Sequence, residues 1–255
     1  MTPAGMDPTT LQSWKELLFA PEAWLLTFGF VVVLPALGYV RFRRLAAPAG
    51  SSMPAGAKVA FYGRVMVSQW LLAAAMLVVA TRHGLTPAAV GEQLADARLT
   101  AGVTLGLVAV IAVGAAVVRW RVRRACPESL AKSLGRMGRF APAFGAEMAG
   151  FALLSATAGI CEELLYRGWL VNLLRAATGS VWLAVAVGAA VFGLAHAYQG
   201  IAGVLRAAFV GLQLALLFVF VGSLVPGQVL HAAVDLLVGY ASALRMARAR
   251  SQDPR

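Results

Sequence analysis

Seven long apolar runs dominate this chain and restrict its possible folds more than any other feature. They cover residues 24–40, 59–80, 101–118, 144–174, 181–197, 205–222 and 225–244. A helix of about 20 apolar residues matches the hydrocarbon thickness of a bilayer. Helices are suited to that environment because they satisfy every backbone polar group internally. The sequence therefore predicts an all-α, polytopic transmembrane helix bundle with about seven spans.

Basic residues concentrate between these runs, and their placement predicts how the chain is oriented and organised. Loops 41–58 and 119–139 and the tail at 245–255 carry most of the Lys and Arg residues. Because basic loops stay in the cytoplasm, we expect the N-terminus outside and the C-terminus inside. Residues 1–22 then form a lead with an interfacial helix at 11–19, and 23–142 hold three spans and the basic cytoplasmic loop. Residues 143–244 form a second bundle, and 245–255 form a basic cytoplasmic tail.

The composition narrows the partners and the compartment. The net charge of +11 does not indicate nucleic-acid binding, because the charges lie at the ends of apolar runs. We therefore expect a lipid bilayer as the surroundings, and the abundance of Ala, Val and Arg favours a bacterial inner membrane. The two cysteines, Cys126 in a polar loop and Cys161 in an apolar run, do not form a disulfide framework. Cys161 is expected to be a buried packing residue.

Ionisable residues interrupt the run at 144–174. A charge at the centre of a membrane helix costs at least about 2.5–3.5 kcal/mol, so such residues usually pair and mark a function. Glu163 and Arg167 are four residues apart and share a helix face as an ion pair. Glu162 points about 100° away from Glu163 around the helix axis. The spacing therefore predicts Glu162 as the free carboxylate.

Two further runs carry histidines. His196 shares an i, i+4 stripe with Ala184, Gly188 and Phe192, which places it towards protein.

His231 and Asp235 are also four residues apart and share a face. Taken alone, His196 is equally consistent with a packing residue and with a functional one. Taken alone, the His231–Asp235 pair is equally consistent with a simple mutual hydrogen bond and with a functional pair. Three separate helices that each carry a costly polar group predict one shared site.

The depths of these groups set a condition on the fold. A rise of about 1.5 Å per residue puts Glu162 and His196 roughly 20 Å below the outer ends of their helices, but His231 only about 10 Å. The groups can meet only if the link at 222–227 is sunken in the bundle, or if the last helix tilts or starts early.

These residues resemble the CPBP family of intramembrane proteases, which includes the CAAX proteases and the bacteriocin-processing, or Abi, proteins. The family pattern is E-E-x-x-x-R, then F-x-x-x-H, then H-x-x-x-N or H-x-x-x-D. Here it reads Glu162-Glu163-x-x-x-Arg167, Phe192-x-x-x-His196 and His231-x-x-x-Asp235, in the same order. The resemblance covers about the last hundred residues. Asp235 stands where the eukaryotic prenyl-protein enzymes have Asn.

The resemblance implies a role for each residue. Glu162 is the general base for an activated water, and His196 orients that water. His231 with Asp235 stabilises the oxyanion, while Glu163 and Arg167 brace the helix and Phe192 supports His196. The alternative is a zinc site held by Glu162, His196 and His231, since two histidines and a carboxylate can leave one position open. The metal-free form is favoured here, with no cofactor.

The resemblance implies an intramembrane endopeptidase that cuts a membrane-anchored protein or peptide, near its C-terminus or a membrane-proximal part. Prenylated substrates and C-terminal sorting tails both stay open. Two other classes of function also stay open. One is a non-catalytic membrane scaffold or immunity-type protein of the same fold, and the other is a proton-coupled transporter that uses the Glu and His residues as a relay.

Overall fold

The computed structural model describes residues 7–45, 53–94, 96–125 and 136–250. Within these ranges the chain is helical and contains no strand. We number its helices α1 (Pro8–Leu17), α2 (Pro21–Arg44), α3 (Ala55–Arg82), α4 (Ala97–Arg124), α5 (Ala146–Thr178), α6 (Val181–Ala195), α7 (Ile201–Val221) and α8 (Val225–Arg250). The predicted all-α bundle is confirmed.

Six of these helices, α2, α3, α4, α5, α7 and α8, are long and apolar enough to cross a membrane. The remaining apolar run, at 181–197, forms the shorter helix α6, of 15 residues. It ends at Ala195 because the chain then turns through a 3₁₀ segment, Ala197–Gln199. His196 therefore caps α6 instead of lying within it. The expected sidedness of the two termini stays a prediction.

Several residues expected outside the helices belong to them. α4 continues through Arg124 and α8 through Arg250. The last turn of α4 therefore carries three arginines, whose charge interacts favourably with the helix dipole. Lys58, expected in the basic loop at 41–58, is buried in α3. Its ammonium lies 2.7 Å from the Glu147 carboxylate of α5, and this partner compensates its burial. Cys126 lies outside the described residues, whereas Cys161 is buried and unbridged, as expected.

The predicted N-terminal helix is α1, and it packs into the core. Asp7 caps it by accepting from the Thr10 amide at 2.9 Å. Trp14 and Leu17 are fully buried. Trp14 meets the indole of Trp169 on α5 edge to face, with ring centroids 5.7 Å apart. α1 is therefore tied to the helix that carries the carboxylates, while its predicted position at the membrane interface stays a prediction.

α8 packs between α4 and α5, and the link that precedes it is sunken in the bundle. Ser223 and Leu224 are 0% and 1% exposed. The Leu224 amide donates to the Gly91 carbonyl at 2.9 Å, so the segment between α3 and α4 covers this link. Glu92 of that segment accepts from the Gln228 amide of α8, and burial raises its pKa. Of the three alternatives that would let His231 reach the depth of Glu162, the structure therefore shows the first, a link sunken in the bundle.

A glycine permits the close approach of α5 and α8. A Cβ at Gly159 would lie 2.6 Å from the Gln228 carbonyl oxygen and 2.8 Å from the Ala232 Cβ. Both neighbours belong to α8, one turn before and one residue after His231. The backbones thus meet one turn from Glu162 and Glu163, and small residues at such contacts are typical of membrane helix packing.

We expect Gly159→Ala to lower the free energy of unfolding by about 1–3 kcal/mol, because the added methyl group overpacks this contact. Gly150→Ala on the same helix is the matched control, since its Cβ would meet only the Tyr62 ring at an ordinary 3.5 Å. Thermal unfolding in detergent compares the two variants. Equal stability of Gly159→Ala and Gly150→Ala would contradict the proposed close contact.

Candidate functional site

The structure brings Glu162, Glu163 and Arg167 of α5 together with His231 and Asp235 of α8. His231 is 5% exposed and lies between the two glutamates. Its Nδ1 is 2.8 Å from Glu163 Oε1, and its Nε2 is 3.8 Å from Glu162 Oε2. The imidazole therefore makes one hydrogen bond and faces a second carboxylate just beyond hydrogen-bond distance.

Glu163 is the centre of this network. Its Oε1 accepts from Arg167 Nη1 at 2.8 Å, which places the predicted ion pair on one helix face. The same oxygen is the partner of His231 Nδ1. Because Glu163 and Arg167 are only 1% and 2% exposed, solvent does not screen their ion pair. The sequence predicted a brace within α5, whereas the structure shows a link from α5 to α8.

Arg167 extends the network to two more helices. Its Nη2 donates to the Gly211 carbonyl of α7 at 3.0 Å, and its guanidinium lies 4.4 Å from the centre of the Phe192 ring on α6. Burial of such a charge requires several compensating partners, and stacking on an aromatic ring is one of them. A Cβ at Gly211 would lie 3.4 Å from Nη2, so the glycine leaves room for this contact.

Phe192 connects the two histidines. Its ring centroid lies 4.8 Å from that of His196 and 5.8 Å from that of His231. The predicted burial of Ala184, Gly188 and Phe192 agrees with the structure. The Phe192 ring is thus a shared wall for Arg167 and both imidazoles.

His196 is half-buried at the end of α6. Its Nδ1 is 2.8 Å from the Phe192 carbonyl oxygen. Since a carbonyl only accepts, Nδ1 must carry the proton, which leaves Nε2 of the neutral ring as an acceptor. No hydrogen bond joins His196 to Glu162 in the part of the chain that the structure describes.

Asp235 lies on the more open side of His231. Its Oδ2 is 3.8 Å from His231 Nε2, and its side chain is 41% exposed. The Glu162 side chain is 19% exposed. Nε2 of His231 thus faces two carboxylates at the same separation, beyond direct hydrogen-bond distance, and a water beside the gap can bond to the imidazole and a carboxylate together.

The sequence analysis missed Gln69 of α3. Its Nε2 donates to Glu162 Oε1 at 2.6 Å, while its own Oε1 is buried and has no hydrogen-bond partner. Burial of an amide inside the apolar run at 59–80 costs free energy unless it is hydrogen-bonded, although less than burial of a charge. That cost is the signal that could have identified Gln69. Glu162 is therefore held at one oxygen, and the other oxygen faces His231.

Tyr198 was also missed. It follows His196 on the 3₁₀ segment, and their ring centroids are 5.9 Å apart. Burial raises the pKa of the Tyr198 phenol to about 12, so its hydroxyl is neutral across the physiological range. The site therefore has a neutral hydroxyl donor beside His196.

Metal binding has no preformed site among the described residues. They contain no group of three or more His, Cys, Asp or Glu side chains that is arranged to hold a metal ion. His231 Nδ1 is committed to Glu163, and Nε2 is the nitrogen that remains towards Glu162. Zinc held by Glu162, His196 and His231 thus stays an alternative that requires the side chains to rearrange.

Residues 144–237 match the family model described as type II CAAX prenyl endopeptidase Rce1-like. The matched range begins just before α5 and ends in α8, so it contains all the candidate residues found from the sequence. It does not contain Gln69. Neither the curated proteins nor the solved structures include a match to this chain.

Proposed function

Because residues 144–237 place this chain in the CPBP family of CAAX proteases, we propose that it is an intramembrane endopeptidase that uses a water activated by Glu162. The observation that carries this proposal is the position of Glu162 Oε2, which lies 3.8 Å from His231 Nε2. A water between a carboxylate and an imidazole has both a base and a second polar partner. The substrate is a membrane-anchored protein, cut near its C-terminus or a membrane-proximal part.

The first step is the attack of this water on the scissile carbonyl carbon. Glu162 takes one proton as the water oxygen forms the new bond, and the carbonyl oxygen gains the negative charge. His196 Nε2, the unprotonated nitrogen of its ring, accepts from the same water and orients it. Proton transfer by a positioned side chain contributes about 10²–10⁴-fold to a rate.

The second step is the collapse of the tetrahedral intermediate. A protonated His231 donates from Nδ1 to Glu163 and from Nε2 to the oxyanion, and Asp235 supports its positive charge. Preorganised donors of this kind act most strongly where water is excluded. Glu162 then passes its proton to the leaving nitrogen, so the products are a carboxylic acid and an amine.

Gln69 is assigned the role of positioning the base. It holds Glu162 Oε1 at 2.6 Å and so directs Oε2 towards His231. Glu162 needs such a restraint because its side chain is less buried than that of Glu163, whose carboxylate is fixed by two partners. Even a small displacement of a reacting group strongly lowers the reaction rate.

We expect Glu162→Gln to lower the rate of proteolysis at least about 10²-fold, because it keeps the shape of the side chain and removes the base. Mass spectrometry of protein termini in membranes with the wild-type chain, with the variant and without the chain measures the loss. Glu92→Gln is the control, since burial already raises the pKa of Glu92 and it lies outside the site. Normal cleavage by Glu162→Gln would reject Glu162 as the base.

We expect Gln69→Leu to lower kcat by about tenfold or more with KM unchanged, because the variant misplaces Glu162 without altering the substrate contacts. The assay uses a substrate peptide identified from the altered termini. Ser68→Ala is the neighbouring control, since the Ser68 hydroxyl donates only to the Val65 carbonyl of its own helix. A rise in KM with unchanged kcat would instead show that Gln69 contacts the substrate.

We expect the purified enzyme to keep its activity after dialysis against a zinc chelator, because the proposed base and oxyanion donor are side chains. Activity before and after dialysis, with and without added Zn²⁺, measures this. A loss that Zn²⁺ restores would support the alternative in which Glu162, His196 and His231 hold the metal.

A further inference from the structure

A pocket of about 460 Å³ lies between the last turns of α4 and α8. We call it the arginine pocket, because Arg119 and Arg123 of α4 and Arg248 of α8 line it. Phe144 and Tyr240 form part of its wall, with their rings edge to face and centroids 6.2 Å apart. None of these residues belongs to the site around Glu162.

The described lining of the arginine pocket is positively charged. The described residues that line it carry three guanidinium groups and no carboxylate. Arg119 and Arg123 are one turn apart and exposed, so their planar forks can act on one ligand. A guanidinium matches the paired oxygens of a phosphate, which makes a phosphate the best-fitting ligand.

An apolar stripe continues from the arginine pocket into the membrane span. Leu236, Tyr240, Leu244 and Arg248 recur every fourth residue of α8 and so share one face. Leu236, at the far end from the arginine, is 39% exposed. A soluble anion would make no contact with this apolar stripe, whereas the acyl chain of a lipid can pack along it.

We propose that the arginine pocket binds an anionic phospholipid, with the phosphate between the arginines and an acyl chain along the α8 stripe. Both helices are long and apolar enough to cross a membrane, and the arginines lie near their ends, where lipid headgroups are expected. Basic pockets between membrane helices bind anionic headgroups for the same electrostatic reason. This inference is independent of the proposed peptidase activity.

Native mass spectrometry of the full chain in neutral detergent tests the proposal. Wild-type protein titrated with phosphatidylglycerol should retain a bound lipid that phosphatidylcholine does not replace. We expect Arg119→Gln with Arg123→Gln to weaken this binding about tenfold or more, given roughly fivefold for each arginine at a membrane surface. Both side chains are exposed, and unchanged circular dichroism verifies the fold of the variant.

The matched control removes the same charge from the same helix end. Arg121 and Arg124 lie on α4 but do not line the arginine pocket, and Arg124 stacks on Trp120 at 4.5 Å. Arg121→Gln with Arg124→Gln should therefore bind within about twofold of wild type, a change as small as surface substitutions usually cause. An equal loss in both double variants would overturn the proposal in favour of diffuse charge. Displacement of the lipid by inorganic phosphate alone would overturn it in favour of a soluble anion.

Discussion

The Glu163 carboxylate holds a guanidinium from its own helix and an imidazole from another, and the rest of the site depends on this shared contact. A buried charge is tolerated only with good partners, and removal of one partner from such a pair is strongly destabilising. Arg167 and His231 each lie 2.8 Å from the same oxygen. The network therefore fixes α8 against α5 at the depth where Glu162 lies. Gly159 makes this possible because it lets the two backbones touch.

A rigid support next to a less buried reactive group follows from this arrangement. Glu163 and Arg167 are almost fully buried. The irregular π-helical segment Leu164–Val171, which follows Glu163 and contains Arg167, is buried along its length. Such turns are frequent at functional sites. Glu162 directly precedes Glu163 on α5, but its side chain points to the more open side, where Gln69 restrains it. One short stretch of sequence thus supplies both the support and the proposed base.

The sequence predicted the bundle and the grouping of the site residues because both follow from the cost of polar groups in a membrane. Seven apolar runs give the helices, and i, i+4 spacing places Glu163 with Arg167 and His231 with Asp235. The same reasoning could not predict which carboxylate contacts His231, since that depends on how α8 docks on α5. It also missed Gln69, because an uncharged amide interrupts an apolar run less visibly than a charge. The early end of α6 depended on a turn that local hydropathy does not reveal.

The depth of His231 depends on the link that precedes α8. A rise of about 1.5 Å per residue left His231 too shallow to meet Glu162, and the structure resolves this through the buried link before α8. Ser223 and Leu224 lie inside the bundle because the segment between α3 and α4 covers them and accepts the Leu224 amide. Buried irregular backbone is permitted within a membrane protein where other protein surrounds it.

A double-mutant cycle between Glu163 and His231 measures whether Glu163 holds His231 in the site. The free energies of unfolding of the wild type, Glu163→Gln, His231→Gln and the double variant are measured in mixed micelles. Contact at 2.8 Å in the buried network predicts a coupling energy of about 1–3 kcal/mol. Additive effects, with a coupling below about 0.5 kcal/mol, would contradict the account, because His231 would then be placed beside Glu162 by something other than Glu163.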